Sequence, residues 1–225
     1  MKKLHLMALL SFNAGFVEAT GFIGFQGLFV AHVTANLVTL SAAFVSGSFG
    51  TVAKLIAIPE FIGVIAAGRI AGNFLDSRGL PRSRIMISAA VVLLFALFVF
   101  AVSLGPFPNS NAPAALLTAF AGIAAMAIQN GAQRLHYAGF PMTTLMTGNV
   151  TQATLDAIDL LEGVSGEQRT IISKRFQHTA GSIASFSAGC AAAAAIYYWV
   201  GFWYLPGPCP CQSQDRDGHL RRQLV

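Results

Sequence analysis

The sequence predicts an all-α membrane protein, and three observations predict it. Of its 225 residues, 55% are hydrophobic and only 10% charged, whereas a soluble globular domain carries about 25% charged residues; mean hydropathy is +0.63. The few charges are clustered: residues 85–133 hold no Asp, Glu, Lys or Arg, residues 4–53 hold only Glu18, and residues 176–214 hold none. No alternating segment of about ten residues recurs, so the spans are helices rather than barrel strands, because backbone polar groups cannot stay unpaired in lipid. At about 20 residues per crossing, the length accommodates six or seven transmembrane helices and excludes a soluble catalytic domain.

Taken in order, the first segment covers residues 6–27. Lys2 and Lys3 precede an apolar stretch, and Val17-Glu18-Ala19 could serve as a small-residue cleavage site, so a signal peptide is a rival reading. The apolar stretch continues through Gly21-Phe22-Ile23-Gly24-Phe25, which favours a retained span. Cuts at Gly, Pro and charge clusters place the next segments at 30–47, 52–75 and 85–104. After the loop Gly105-Pro106-Phe107-Pro108-Asn109-Ser110-Asn111 come segments 113–133, 143–160 and 176–203. The expected organisation is one transmembrane domain, residues 1–205, followed by a polar tail, 206–225. The second and sixth segments are short and carry several polar groups, the make-up of broken or re-entrant helices buried in protein. The aromatic cluster from Tyr197 to Tyr204 reads as an interfacial belt.

A net charge of +5 and a pI near 9.5 do not imply a nucleic-acid partner, because the fourteen Lys and Arg lie mostly at the edges of apolar runs, as they do around a lipid bilayer. If all seven segments cross, six basic residues fall on the N-terminal side and seven on the other, with Arg69 inside a span, so the orientation is undecided. One re-entrant segment in the first half would instead place Lys2, Lys3 and the Arg78–Arg84 loop on one side. Three cysteines are too few for a disulfide framework. Cys190 reads as a small buried hydrophobe, and the Cys209-Pro210-Cys211 pair lacks the further ligands a metal site needs, so neither a metal nor a cofactor is expected.

The halves resemble each other. Gly15-Phe16-Val17-Glu18-Ala19 aligns with Ala127-Ile128-Gln129-Asn130-Gly131 at an offset of 112, and Val33-Thr34-Ala35-Asn36-Leu37 with Met146-Thr147-Gly148-Asn149-Val150 at 113. An offset of 118 sets Glu60 against His178, Gly63 against Gly181 and Ala71 against Gly189. These matches define a 3+1+3 internal repeat, with halves 6–75 and 113–203 around a linker helix 85–104. The repeats run parallel if every segment crosses, as in SWEET-type carriers.

The stretches Ala14-Gly15-Phe16-Val17-Glu18-Ala19-Thr20-Gly21-Phe22 and Gly27-Leu28-Phe29-Val30-Ala31-His32-Val33-Thr34-Ala35-Asn36 resemble the N-terminal signature of the YoaK-like bacterial membrane proteins. Ala127-Ile128-Gln129-Asn130 with Thr143-Thr144-Leu145-Met146-Thr147-Gly148-Asn149 resembles that family's second signature. Ala35 stands where Gly is expected, Glu18 where Asp is common, and the polar tail is long. The resemblance implies a multi-pass helical protein of the bacterial inner membrane. The family is a domain of unknown function, so no catalytic or binding residues come with it.

Ionisable groups inside spans cost about 2.5 to 3.5 kcal/mol each, which singles out Glu18, Glu60 and Arg69. Glu18 and Glu60 are candidate proton or cation sites facing a cavity. The alternative makes Glu60 interfacial beside Lys54, and Arg69 reads as a snorkelling residue. Thr34 with Asn36, and Thr147 with Asn149, sit near the N-terminal ends of the two short segments, where they suit either a ligand at a helix N-terminus or capping and interhelical hydrogen bonds. His32, and His178 opposite Glu60, could form a proton relay with a carboxylate. Gln129 and Asn130 answer to the neighbourhood of Glu18 and complete a polar ring. The glycines at 63, 68 and 72, and Gly181, Ser185 and Gly189, fit close helix packing. Asp156, Asp159, Glu162 and Glu167 read as a solvated loop. No GxSxG, HExxH or phosphate-loop motif occurs, so no enzyme is expected. The expected function is a small secondary transporter or permease, coupled to protons, for a small solute. The rival is a non-transporting assembly partner or an enzyme acting on a lipid-soluble substrate. A homodimer suits so small a bundle.

Overall fold

The computed structural model describes residues 2–46 and 51–204. Seven helices follow one another, α1 (Lys2–Gly24), α2 (Ala35–Ser46), α3 (Thr51–Ser77), α4 (Arg82–Leu104), α5 (Pro113–His136), α6 (Met146–Leu161) and α7 (Gly166–Tyr204), and the described residues contain no strand. Five, all but α2 and α6, are long and apolar enough to cross a membrane. At 12 and 16 residues, α2 and α6 extend only about 18 and 24 Å, short of a hydrocarbon core of about 30 Å. The protein is thus a helical membrane protein, and five of its seven described helices are long and apolar enough to span. The broken segments are the two that the sequence marks as short.

The hydrogen bonds fix the course of the chain. Gln129 on α5 donates to the Leu10 carbonyl (3.0 Å) and Gln133 to Met7 Sδ (3.9 Å), so α5 runs antiparallel to α1. The other end is marked by Gln26 beyond α1, which donates to the Pro108 carbonyl and accepts from Ser110, and by Val52 N–H at the start of α3, which donates to Asn111. Gln26, Val52 and the 105–112 loop therefore share one end, termed the upper end; the α1 N-terminus, the α3–α4 turn and the α5 C-terminus share the lower end. From the upper end the chain turns at Gln26 and Gly27, both in the left-handed region (φ 56° and 83°), and re-enters the bundle. Residues 28–32 lie inside it: a methyl built on Gly122 of α5 would stand 3.1 Å from Val30. Helix α2 then leads back to the upper end, where α3 begins.

The second half repeats this course from below. After α5, Thr143 and Thr144 lie against Gln129 and Asn130, well above the end of that helix. Helix α6 descends antiparallel to α7, with Asn149 beside Ser182 (3.5 Å) and Asp156 paired to Arg175 (2.6 Å). Both short helices accordingly begin inside the bundle and return to the end from which the chain entered. Their N-termini face the middle from opposite sides, at levels of α5 marked by Gly122 and Gln129, about 10 Å apart.

Packing follows from small residues. A methyl built on Gly15 of α1 would collide with the Phe186 carbonyl oxygen, and one on Gly189 of α7 with that of Phe12. The α1–α7 contact is thus backbone against backbone, which only glycine permits. Gly72 likewise lies against the guanidinium of Arg82, but Gly63 and Gly181 face open space and pack against nothing. Ala14, Val17, Leu28, Val30, Ala119, Ile123 and Met126 form the core between α1, α5 and the first re-entering loop. Pro113 opens α5 at its first turn, where a missing N–H costs nothing. Pro59 inside α3 leaves the carbonyl one turn back without its donor.

Two expectations are corrected. Helix α7 starts at Gly166, ten residues before the apolar run, because the polar turns from Gly166 to Arg175 continue the same helix. Asp156 is not in a solvated loop: it is fully buried on α6 and takes both Nε and Nη2 of Arg175 and the amide of Gln152. The described residues from Ala195 to Tyr204 fall in a second unit, in which Tyr198 and Trp199 meet edge to face at 5.9 Å and stand exposed. The tail, with Cys209 and Cys211, lies outside the described residues.

Candidate functional site

Each re-entering loop is pinned to the helix that precedes it. Glu18, four turns into α1, is only 6% exposed. Its Oε2 accepts the N–H groups of Val30 (3.0 Å) and Ala31 (2.5 Å), and its Oε1 accepts that of His32 (3.1 Å) and lies 2.8 Å from His32 Nδ1. Three successive N–H groups converging on one carboxylate make an anion-binding concavity, and here the anion belongs to the chain itself. The His32 ring packs edge-on against Phe186 of α7. Asn36, fully buried in the first turn of α2, closes the loop from the other side: it accepts from Phe29 N–H (2.8 Å) and donates to the Phe29 carbonyl (2.7 Å).

The loop of the second half is held at corresponding positions by amides. Asn130 donates to Thr144 Oγ1 (2.8 Å), as Glu18 accepts from Ala31. Asn149 donates to the Met142 carbonyl seven residues before it (2.8 Å), the span that separates Asn36 from Phe29. Gln133 accepts the N–H (2.9 Å) and hydroxyl (2.7 Å) of Thr143 and donates to the Pro141 carbonyl (2.6 Å). Gln129 donates to Leu10 and Thr143 and accepts from Asn13 (2.9 Å). Asn13, Gln129, Gln133 and Tyr137 also form the polar floor of a cleft of about 220 Å³ between α1, α4 and α5, walled by Leu9, Ala90 and Leu94.

Of the residues proposed from sequence, Glu18, His32 and Asn36 meet in the first half, and Gln129, Asn130 and Asn149 hold the second. Thr34 and Thr147 do not join them: both side chains are exposed, because each stands at the start of its short helix on the face turned away from the loop. Glu60 and His178 do not meet either. His178 stacks on Phe140 (5.6 Å), while Glu60 Oε2 is buried on α3 without a hydrogen-bond partner. Lys54 is buried, with its Nζ 3.8 Å from where a Gly27 methyl would stand, and does not pair with Glu60. Sequence reading missed Asn13, Gln133, Thr143 and Ser11, whose hydroxyl meets Ser182 at 2.8 Å. Polar residues in apolar runs were the available signal, and Gln133, one turn beyond Gln129, carries it most plainly.

The five long apolar helices and two inward-turning half-helices define a multi-pass helical membrane protein. Residues 6–210 match the family described as "Protein of unknown function (DUF1275)", and the chain belongs to that family. No curated protein and no solved structure matches it.

Proposed function

We propose that this protein is a small secondary transporter or permease of the bacterial inner membrane, coupled to protons through Glu18 and related to the YoaK-like proteins. The observation that carries the proposal is the pair of loops entering from opposite ends, each followed by a half-helix whose N-terminus faces the middle. Transporters place their sites at such discontinuous elements, between repeats of inverted topology. The common pin positions and the seven-residue Asn-to-carbonyl span support a duplication of α1–α3 as α5–α7, with α4 joining them. With five crossings the repeats are inverted, not parallel.

Hydrogen-bond arithmetic supports the proton-coupled reading. The Glu18 carboxylate accepts from three N–H groups and faces His32; a protonated carboxyl becomes a donor at one oxygen and gives up acceptor capacity. Protonation thus loosens the loop and the start of α2. Five crossings also support the orientation we propose. Nine of the fourteen Lys and Arg, among them Lys2, Arg78, Arg134 and Arg175, fall at the lower end, against Lys54 at the upper end, with Arg69 inside α3 and three in the tail outside the described residues. The lower end is then cytoplasmic.

Proteoliposomes under an imposed pH gradient, screened with small polar and ionic solutes, test the proposal. At least one flux should follow the gradient and fall about tenfold or more in Glu18→Gln, as expected for loss of a proton-relay carboxylate, and also fall in Asn149→Ala. Fluxes indifferent to both substitutions would contradict it. The close packing of Glu18 and Asn36 favours one second reading, a non-transporting assembly partner or an enzyme acting on lipid-soluble substrate, in which the pins serve only to hold the loops.

A further inference from the structure

At the lower end, α3, α4 and α5 converge on a cleft of about 270 Å³ whose lining includes Asn130, the residue that holds Thr144, but no residue of the pinned loops themselves. Arg69 on α3 and Arg134 on α5 line it, both exposed, and neither has an ion-pair or hydrogen-bond partner among the described residues. No acid lines the cleft. Its floor is Met86 of α4, whose methyl lies 3.8 and 4.0 Å from where methyls on Gly68 and Gly131 would stand. One turn from Met86, Arg82 is 7% exposed and pressed against Gly72. Its Nη1 meets Asp76 (2.8 Å), but Nε and Nη2 are buried without acceptors. Asp76, the acid of the α3–α4 turn, is thereby engaged, and three guanidiniums around one seam keep an excess of positive charge.

The geometry points to a binding site for the phosphate of an acidic lipid headgroup, held between Arg69 and Arg134 with Arg82 as a fixed charge behind it. Guanidinium forks match phosphate oxygens in pairs, and basic pockets between helices on the cytoplasmic side take acidic headgroups. A lipid is favoured over free phosphate because Val64, Ile65 and Ile128 give the same cleft an apolar wall, along which an acyl chain lies. Arg69 thus reaches toward a headgroup that enters between the helices. This assignment does not rest on the transport reading.

The test is anisotropy of a fluorescent phosphatidylglycerol titrated with the full-length chain in neutral detergent, beside the same probe with a phosphatidylcholine head. Phosphatidylglycerol should bind tighter, and Arg69→Gln and Arg134→Gln should each weaken it about tenfold, the worth of a charge-assisted contact. Arg78→Gln and Arg84→Gln, which remove exposed charges outside the cleft, should change it less than about twofold. Because Arg69 and Arg134 have no partner among the described residues, thermal unfolding of these variants without acidic lipid should match the parent, which separates binding from folding. Equal binding of the two probes, equal losses from all four variants, or displacement of the lipid by millimolar inorganic phosphate would overturn the assignment.

Discussion

The segment between α1 and α2 is held by a carboxylate that gathers three backbone N–H groups, whereas the segment between α5 and α6 is held by the side-chain amides of Asn130, Gln133 and Asn149. The two share a course, a register and an asparagine seven residues from its carbonyl partner, yet only the first contains a titratable pin. A carboxylate gathers three backbone bonds in one residue, with Asn36 closing the loop from the other side; the amides of the second loop spread the corresponding bonds over several residues. The first loop should therefore fail at a single substitution, and the second should yield by degrees.

The largest effect is expected from Glu18→Ala, which leaves three buried N–H groups and His32 without an acceptor. Unfolding in detergent should lose about 3 kcal/mol or more, at roughly 1 to 3 kcal/mol for each buried donor left unsatisfied; Glu18→Gln, which keeps one acceptor oxygen, should lose less. Next comes Gly15→Ala, whose methyl meets the Phe186 carbonyl. Overpacking of this kind costs about 1 to 3 kcal/mol, and Gly189→Ala should match it, while Gly63→Ala and Gly181→Ala, with nothing in the way, should change the midpoint little. Smaller again is the difference between the asparagines. Asn36→Ala removes two short hydrogen bonds to Phe29, whereas Asn149→Ala removes one short bond to Met142 and long, weak contacts to Ser182 and Met146, so the losses should be about 2 and 1 kcal/mol. Equal losses would show that the loops are held alike.

Much of this was legible in the sequence, and the reason is local. The apolar runs set five helices nearly end to end, because long runs between charge clusters have no other outcome in lipid. The short second and sixth segments announced themselves by length and polarity. The offsets of 112 and 113 align Glu18 with Asn130 and Asn36 with Asn149, and each of the four holds a re-entering loop. What the pattern could not carry was direction. Whether a short helix crosses or turns back depends on which backbone groups a distant side chain satisfies, and Glu18 reaching Val30 to His32 is a tertiary fact. The same limit hid Asp156, whose partner Arg175 lies nineteen residues on, on a polar extension of α7 that composition reads as loop. Thr34 and Thr147 misled for a related reason: a motif shows which residues recur, but not which of them faces inward.

The central claim is that α2 and α6 turn back, so that five helices cross. Single cysteines at Ser77, Asn109 and Glu162, in a chain whose own three cysteines are replaced by serine, can be labelled in oriented membrane vesicles with an impermeant maleimide. Ser77 and Glu162 should label from the same side and Asn109 from the other. Labelling of Asn109 with Glu162, and of Ser77 opposite to both, is what seven crossings require and would contradict the account.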